Sequence, residues 1–311
     1  MQSNQMPALA NATTDLLFDA SMAIDLGQRE RQEDAVVSDF SAGQPFGFAV
    51  LADGMGGHAA GDVASKIAVT EVFSELKLQS GDPELLEPHV CEVLRRAATS
   101  ANKCIGLYSS QCPEAYGMGA TLLAPVFMED RLYWLSVGDS PFYLFRNGEL
   151  SRLNENHALI SQIEYLVSKG LMSQEEALNH PDQNCLTSVL IGSEIAQVDC
   201  RTVPMRMLPG DILLAASDGL QFLTEDQIAS VLRFAQKRSA EDITAALMKE
   251  VRKLDDPYQD NVSLCVVKVL HRNAPRLPVA EDTTETHEKS FENGSVTILA
   301  RVTRKKKANG S

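Results

Sequence analysis

The sequence has no long hydrophobic run: none approaches the roughly 18 apolar residues that a membrane-spanning helix needs. Its first residues, MQSNQMPALANATTDLL, lack the basic stretch before an apolar block that marks a secretory signal. The six cysteines include no CxxC pair, and a chain of 311 residues is long enough to fold without disulfides. These absences predict a cytoplasmic protein with reduced cysteines and no membrane partner.

Positive charge is also scarce. The chain has 28 Lys and Arg against 42 Asp and Glu, a net charge of -14. Such a surface repels the phosphates of nucleic acids and anionic lipid headgroups, so general DNA or RNA binding is disfavoured. The content of 44% hydrophobic and 23% charged residues is that of a globular protein that can bury a sizeable core.

The charge is unevenly distributed along the chain. Residues 271–311 carry eight basic and five acidic residues, whereas residues 1–270 carry 20 basic and 37 acidic residues. With Pro275, Pro278 and the polar stretch EDTTETHEKS, this composition predicts a mostly disordered, basic-ended tail over 271–311. Within it, SVTILARV at 295–302 alternates like a strand and either orders on a partner or belongs to a solvated linker. Residues 1–17 are predicted to be a flexible N-terminus, which leaves 18–270 as the folded domain.

Strand-like and helix-like segments are interspersed between residues 19 and 270. The apolar runs of strand length are DASMAIDL, PFGFAVLAD, GATLLAPVF, RLYWLSVGD, PFYLFRN, GDILLAASD and NVSLCVVKVL. Patterns of helical length occupy 59–76, 83–108 and 224–254. Asn147 and Gly148 favour a two-residue hairpin turn. Two successive helices followed by hairpin-like strands do not alternate as a doubly wound parallel sheet does, so we expect an α+β sandwich with helices covering the sheets.

An insert at 157–186 interrupts the strands. Gly170 is typical of a helix end, and Ser173 followed by Glu176 is typical of a capping box at the next helix start. The pattern predicts two short helices. Such an insert is either a lid over the site or a surface addition without a role in it.

Five aspartates stand at strand ends or turns, where a soluble fold does not need them: Asp34, Asp53, Asp139, Asp218 and Asp260. Carboxylates that converge at strand ends repel one another and are costly to desolvate unless cations lie between them. Oxygen ligands without Cys or paired His favour Mg²⁺ or Mn²⁺ over structural zinc. Each aspartate alone has an alternative interpretation as a turn or cap residue, so the hypothesis depends on the whole set.

The glycine-rich turn after Asp53, GMGGHAAG, lets the backbone approach a ligand closely. It matches neither the dinucleotide-binding fingerprint nor a phosphate loop that ends in GK[ST], so a nucleotide site is disfavoured.

Basic side chains near these aspartates are candidates for phosphate binding and proton transfer. The Arg29 guanidinium could bind a phosphate with two hydrogen bonds; Arg31 is the competing candidate, and both could instead be solvated strand-edge charges. His58, at the mouth of the glycine turn, could donate a proton to a leaving group or be structural. His157 is expected to support a loop by hydrogen bonding.

The ordered segments RERQED, ADGMGGHAAG, GATLL, VGDS, GDILLAASDGL and DNVS together resemble the metal-dependent protein Ser/Thr phosphatases, the type 2C or PPM family, in its bacterial form. The resemblance runs from Phe18 to Leu270. It implies a four-layer αββα sandwich of two antiparallel β-sheets flanked by helices, which agrees with the strand and helix pattern. It also implies that the 157–186 insert is the family's flap, which contributes to substrate choice.

The resemblance implies a role for each matching residue. Asp53 would bridge two metal ions, the Gly54 carbonyl would bind one of them, and Asp218 and Asp260 would complete the shell of the opposite ion. Of the acidic pair Glu33 and Asp34, Asp34 would reach the site, partly through metal-bound water.

Two further matches concern a third ion and the substrate. Asp139 would help Asp218 to hold a third, weaker ion, and Arg29 would grip the phosphate of the substrate.

Several positions depart from the family pattern. Gln32 replaces an asparagine, Pro141 an arginine and Asn156 an aspartate, and the segment TSVLIG replaces a TRALG-like one. None removes a proposed metal ligand, but flap docking and loop support are left open. Because Met55 stands where animal members have a histidine, the general acid cannot be taken from them, and His58 or metal-bound water must serve.

The predicted activity is hydrolysis of phosphoserine and phosphothreonine monoesters by a water activated by two Mn²⁺ or Mg²⁺ ions. The expected partners are phosphorylated Ser/Thr proteins, those of a partner Ser/Thr kinase, and the protein is expected to act as a monomer in bacterial signalling. A non-catalytic phosphopeptide-binding regulator on the same fold is one alternative. A metal-dependent nuclease or nucleotide hydrolase is another, and the acidic core and missing phosphate loop count against it.

Overall fold

Two antiparallel sheets, stacked face to face and covered by helices, make up the fold. The computed structural model describes residues 16–41, 44–56, 60–178, 180 and 185–272, which all belong to one compact unit. The strands are β1 (Leu16–Asp25), β2 (Asp34–Phe40), β3 (Phe46–Met55), β4 (Gly119–Ala120), β5 (Leu122–Met128), β6 (Arg131–Val137), β7 (Phe142–Arg146), β8 (Glu149–Arg152), β9 (Asp199–Cys200), β10 (Met205–Arg206), β11 (Ile212–Ala216) and β12 (Val262–His271). The helices are α1 (Gly61–Gln79), α2 (Pro83–Leu86), α3 (Val90–Gln111), α4 (Leu159–Ser168), α5 (Gln174–Leu178), α6 (Glu225–Ala235) and α7 (Ala240–Lys253).

The strand order places the first and last strands, β1 and β12, side by side in one sheet. One sheet has the order β1-β12-β11-β7-β8, and the other has the order β10-β6-β5-β3-β2, with β4 beside β3 and β9 beside β6. Every strand pairing among the described residues is antiparallel. The predicted α+β class and the four-layer αββα sandwich are therefore confirmed.

The central strands are buried on both faces because their side chains alternate between two apolar layers. In β3, Phe48 and Val50 pack beneath α1 and α3, whereas Ala49 points into the layer between the sheets. In β11, Leu214 packs beneath α6 and α7, whereas Leu213 joins the central layer. This double burial explains why both strands have near-continuous apolar sequences and why their ends, not their faces, carry the polar residues.

The predicted hairpin at Asn147–Gly148 is confirmed. Both residues have positive φ angles, 54° and 87°, and Arg146 pairs with Glu149 across the turn. Positive φ at both central positions is what the favoured two-residue hairpin turn requires.

The helix pattern over 83–108 is interrupted in the structure. A short helix α2 is followed by a 3₁₀ turn at Glu87–His89, and only then does α3 begin, at Val90. Pro88 explains the break, because it has no N–H for a helical hydrogen bond and its ring crowds the preceding turn. A continuous helix over this segment is therefore wrong.

The two predicted short helices of the insert are confirmed as α4 and α5. Gly170, with φ of 68°, follows α4. Before α5, the Ser173 N–H donates to Glu176 Oε2 at 2.9 Å, and the Glu176 N–H donates to Ser173 Oγ at 3.2 Å. A role as a lid stays a prediction.

The predictions for the chain ends fall largely outside the described residues. These are residues 1–15 of the predicted flexible N-terminus, the predicted tail beyond residue 272 and the strand-like segment 295–302. The predicted bounds 1–17 and 271–311 are wrong at their inner ends, because Leu16 and Leu17 pair with His271 and Leu270 as the first residues of β1 and the last of β12. Across the described ranges, no helix is long and apolar enough to cross a membrane.

Candidate metal centre

The five aspartates singled out in the sequence lie at neighbouring strand ends. Asp34 begins β2 and stands directly opposite Asp53 near the end of β3. Asp218 follows the end of β11, and Asp260 precedes the start of the antiparallel neighbour β12. Asp139 follows the end of β6. The topology thus brings residues from distant parts of the sequence to one edge of the sandwich.

The electrostatics indicate that these carboxyl groups lie close to one another. Burial raises the pKa of Asp53 well above its usual value, and the nearby charges of Asp34, Asp218, Asp139 and Asp260, in decreasing order, raise it further. Burial also raises the pKa of Asp218 to about 6, with Asp139 and Asp260 adding to the shift and a hydrogen bond with the Asp53 carboxyl opposing it. The pKa of Asp53 responds to the charges of all four other aspartates, which indicates that the five side chains converge.

Asp34 is the most deeply buried of the cluster, with 4% of its surface exposed. Burial raises its pKa to about 7, and the Ser217 hydroxyl, which donates to Asp34 Oδ2 at 2.6 Å, and the nearby Ser263 hydroxyl oppose the shift. Its other oxygen, Oδ1, and the Ser263 hydroxyl are both buried without a hydrogen bond of normal geometry. A buried acceptor without a donor is unfavourable, so Oδ1 suits a water molecule or a cation.

Gln32, a departure from the family pattern, positions Asp34. Its side-chain oxygen accepts a hydrogen bond from the Asp34 N–H at 2.9 Å, and its Nε2 donates to the carbonyl of Asp25 at 2.8 Å. The longer amide therefore ties the start of β2 to the end of β1, and loop support at this position is retained.

Arg29 forms a salt bridge with an aspartate of the cluster. Its Nη2 donates to Asp260 Oδ2 at 2.5 Å, and 54% of its side chain is exposed. Burial raises the pKa values of Glu33 and Asp218, and the positive charge of Arg29 partly opposes both shifts. Arg31 also opposes the shift of Glu33, but more weakly than Arg29 does. The half-exposed guanidinium at the rim of an acidic pocket can reach a ligand from solvent.

Asn261 fixes the loop that carries Arg29. Its Oδ1 accepts from the Glu33 N–H at 2.7 Å, its Nδ2 donates to the Leu26 carbonyl at 2.8 Å, and its own N–H donates to Asp260 Oδ1 at 2.7 Å. Gly27 completes this junction: its φ is 60°, and a Cβ there would lie 2.2 Å from the Asp260 carbonyl oxygen. Asn261 is the second residue of the DNVS segment, from which only Asp260 was predicted as a site residue.

The side chains of His157 and Arg152 hold the loop that carries Asp139 through hydrogen bonds to its backbone. The His157 Nδ1 accepts from the Gly138 N–H at 3.1 Å, which confirms the predicted role of His157 in supporting a loop. Burial lowers the pKa of His157, so it stays neutral. The Arg152 Nη2 donates to the Asp139 carbonyl at 2.7 Å, an interaction that the sequence did not reveal. Burial raises the pKa of Asp139, and its own backbone N–H and the charge of Arg152 oppose the shift.

The donor set suits hard cations. Among the described residues, no group of three or more His, Cys, Asp and Glu side chains is spaced closely enough, as these side chains stand, to hold a metal ion. The carboxyl groups instead bond to one another, as Asp53 does with Asp218, and to Arg29. Crowded oxygen ligands that raise one another's pKa values, together with the unpartnered Asp34 Oδ1, nevertheless fit Mg²⁺ or Mn²⁺. His58 lies outside the described residues.

Comparison with known families gives a match over most of the chain. The family described as Protein phosphatase 2C matches residues 26–255, a range that contains every aspartate of the cluster except Asp260. This chain belongs to the protein phosphatase 2C family. The resemblance inferred from the six short segments is thus confirmed.

Bacterial phosphatases of this family are similar to the chain over most of their length. The serine/threonine phosphatase stp of Listeria welshimeri is 34% identical over 221 residues, which cover 70% of this chain and 83% of that protein. The crystal structure of the Mycobacterium tuberculosis serine/threonine phosphatase PstP/Ppp matches with a TM-score of 0.66 and 29% identity, covering 82% of this chain and 100% of that one. A PstP catalytic domain in complex with two manganese ions matches with a TM-score of 0.65 and 29% identity, covering 82% of this chain and 99% of that one.

Gly54, the proposed carbonyl ligand of this phosphatase 2C domain, cannot carry a side chain. Its N–H donates to the Glu33 carbonyl at 3.1 Å, and a Cβ at this position would lie 2.0 Å from the Gly61 carbonyl oxygen. We expect Gly54→Ala to lower the free energy of unfolding by about 2 kcal/mol or more, because backbone must move away from backbone. Gly81→Ala is the matched control, since nothing lies within 4 Å of the added methyl group. Urea denaturation of both variants measures the difference; equal stabilities would contradict the tight contact.

The raised carboxyl pKa values predict how the metal-free domain responds to pH. An aspartate in the unfolded chain titrates near pH 4, whereas the folded pKa is about 6 for Asp218 and about 7 for Asp34. Between these values the folded state binds more protons, so stability falls as the pH rises. We expect the free energy of unfolding of chelator-treated protein to drop by roughly 1–3 kcal/mol from about pH 4.5 to about pH 7.5.

Urea denaturation across this pH range, with and without Mn²⁺, measures the effect. The drop should be smaller in Asp34→Asn, which has no carboxyl group to titrate at that position, and saturating Mn²⁺ should reverse it. Stability that rises with pH in the metal-free wild type would contradict the shared acidic pocket.

Proposed function

We propose that this chain is a metal-dependent protein Ser/Thr phosphatase that hydrolyses phosphoserine and phosphothreonine monoesters. The observation that carries the proposal is the convergence of five carboxyl groups, with Arg29 at the rim, on a phosphatase 2C fold. The named relatives, including a PstP domain that holds two manganese ions, support it.

Six residues are proposed to hold two divalent ions, Mn²⁺ or Mg²⁺, and a third, weaker one. The ligands for the pair are Asp34, Asp53, the Gly54 carbonyl, Asp218 and Asp260, and Asp139 with Asp218 would bind the third ion. Bound divalent cations would supply Lewis acidity, which lowers the pKa of water and neutralises phosphoryl oxygens. The mutual repulsion of these carboxylates, which raises the pKa of Asp53, supports the assignment because cations would relieve it.

The chain's own groups would bind and orient the substrate. Arg29, half-exposed beside Asp260, is placed to bind phosphoryl oxygens with two parallel hydrogen bonds. The hydrogen bonds of Asn261 would hold the loop that carries Arg29 beside the pocket, and those of Gln32 would hold Asp34 there. His58 is proposed to donate the proton to the serine or threonine leaving oxygen, on the sequence evidence alone. The insert at 157–186 is proposed as the flap that influences substrate choice.

The intact acidic set argues against a non-catalytic phosphopeptide-binding regulator, because such a protein has no need for repelling, buried carboxylates. A nuclease or nucleotide hydrolase is disfavoured by the net charge of -14 and by the absence of a phosphate loop in the sequence. The physiological substrates would be phosphoproteins of a partner Ser/Thr kinase, and the protein would act as a cytoplasmic monomer in bacterial signalling.

Phosphate release with three substrates tests the function. With Mn²⁺, a phosphothreonine peptide should be hydrolysed at least about 100-fold faster than single-stranded DNA or a nucleoside triphosphate. Chelation should abolish the activity, and added Mn²⁺ should restore it. Tight binding of the phosphopeptide without hydrolysis at saturating Mn²⁺ would instead support the regulator, and preferential cleavage of DNA or nucleotide would support the nuclease.

A further inference from the structure

Two cysteines far apart in sequence face each other outside the acidic cluster. Cys91 lies in the first turn of α3, and Cys200 ends β9, 109 positions later. The Cys91 thiol donates to the Arg201 carbonyl at 3.0 Å, and Cys200 Sγ lies 3.9 Å from the Cys91 carbonyl oxygen. Each thiol therefore contacts the backbone of the other's segment, and both side chains pack against the same core layer beneath α3.

The surroundings of Cys91 make it the more reactive thiol of the two. A hydrogen bond from Cys200 lowers the pKa of Cys91 to about 7, against the opposing effect of burial and with help from the charge of Arg95. The N-terminal end of α3 also favours a thiolate at this position. The same hydrogen bond, together with burial, raises the pKa of Cys200, which therefore keeps its proton. Cys91 is therefore the thiol that loses its proton more readily.

A cavity gives small molecules access to Cys91. It has a volume of about 450 Å³, and Glu87, Cys91, Tyr133 and Thr202 are among the residues that line it. Cys91 and Cys200 are both partly exposed, whereas Cys265 is buried in the core between the sheets and has a raised pKa. Access together with a thiolate is what distinguishes an oxidation-sensitive cysteine from a structural one.

We propose that Cys91 and Cys200 are an oxidation site, at which a hydroperoxide converts the two thiols into a reversible intramolecular disulfide. The Cys91 thiolate attacks one oxygen of the peroxide and forms an S–O bond while the O–O bond breaks, so that Cys91 becomes a sulfenic acid. The other oxygen leaves as hydroxide and takes up a proton to become water. The Cys200 sulfur then forms the S–S bond as its proton passes to the hydroxyl group that leaves Cys91, and this gives a second water. Two thiols and one hydrogen peroxide thus give one disulfide and two waters, and a thiol reductant reverses the change.

The disulfide would link α3 to β9, the first strand after the 157–186 insert. Asp199, the neighbour of Cys200, accepts hydrogen bonds from Trp134 Nε1 and from the Glu155 N–H, both at 3.0 Å. Arg201, the other neighbour, stacks over the Trp134 ring at 5.4 Å. Because Trp134 is the single tryptophan of the chain, its fluorescence reports directly on the state of this pair.

Titration of the full-length protein with hydrogen peroxide tests the proposal. We expect the count of free thiols to fall from six to four, with Cys91 and Cys200 joined in one peptide by mass spectrometry, a fall in Trp134 emission, and recovery of both with dithiothreitol. Cys91→Ser and Cys200→Ser should each remove the cross-linked peptide and the fluorescence change. The matched control Cys104→Ser, which also changes an α3 cysteine, should keep both.

Three results would overturn the proposal: no loss of thiols at peroxide concentrations that oxidise free cysteine, accumulation of sulfinic acid on Cys91 without a cross-link, or a disulfide that joins Cys91 to Cys185 instead. Circular dichroism of the reduced serine variants, measured alongside, shows that they are folded. The readouts are independent of the proposed catalytic site.

Discussion

Asp53→Asn is expected to lower kcat/KM for a phosphothreonine peptide by about 1,000-fold or more, which is about 4 kcal/mol of transition-state stabilisation. Asp53 is the carboxyl group whose pKa responds to all four other aspartates of the pocket, so it lies at the centre of the charge cluster. An amide of nearly the same size keeps the packing but removes the negative charge that we propose holds two cations. The loss should therefore appear in activity and metal affinity, not in folding.

The control for this prediction is Asp39→Asn. Asp39 lies on β2, as Asp34 does, but at the opposite end of the strand, where it pairs with Lys77 at the surface. Removing this ion pair should leave kcat/KM within about twofold, since exposed pairs contribute little. Circular dichroism and urea denaturation check that both variants fold. Full Mn²⁺-dependent activity in folded Asp53→Asn would contradict the assignment.

Arg29→Ala is expected to lower kcat/KM by about 100-fold or more while Mn²⁺ binding persists. The guanidinium is proposed to neutralise phosphoryl oxygens, and loss of one such charged donor commonly costs two to three orders of magnitude in rate. Arg29→Lys should recover only part of the activity, because an ammonium group cannot make two parallel hydrogen bonds.

Arg31→Ala is the matched control, since Arg31 is exposed on the same loop and acts only weakly on the cluster. It should retain activity within about threefold. Steady-state kinetics with a phosphothreonine peptide, and calorimetry with Mn²⁺, separate substrate binding from metal binding. Equal losses in the two variants, or a larger loss in Arg31→Ala, would contradict the placement of Arg29 at the phosphate.

The fold was predictable from the sequence because burial on both faces leaves a simple signature. Strands such as β3 and β11 pack against a layer of helices on one face and against the other sheet on the opposite face, so nearly every position is apolar. An aspartate at the end of such a strand then stands out, as Asp53 and Asp218 do. The break between α2 and α3 was missed because the apolar spacing continues across Pro88, although the backbone cannot.

The residues that organise the pocket were less predictable, because their partners lie far away in sequence. The hydroxyl of Ser217 contacts Asp34 across 183 positions, and Asn261 bonds to Glu33 across 228. Arg152, on β8, bonds to the carbonyl of Asp139 in the loop after β6, a nearer contact that no local pattern indicates. A serine before an aspartate or an asparagine after one is common in turns, so only the folded structure distinguishes these supports from ordinary turn residues.

The acidic pocket also lowers the stability of the metal-free domain. Burial and mutual repulsion raise the pKa values of Asp34, Asp53 and Asp218 together, and an oxygen of Asp34 is left without a donor. A fold gains no stability from such an arrangement, which is why it points to a ligand of opposite charge.

A crystal structure grown with Mn²⁺ and phased with the anomalous signal of manganese tests the central claim most directly. We predict two strong anomalous peaks at the strand ends, both in contact with Asp53, with Asp218 and Asp260 binding one of them. Absence of manganese from this pocket, or manganese bound only at sites that do not touch Asp53, would contradict it.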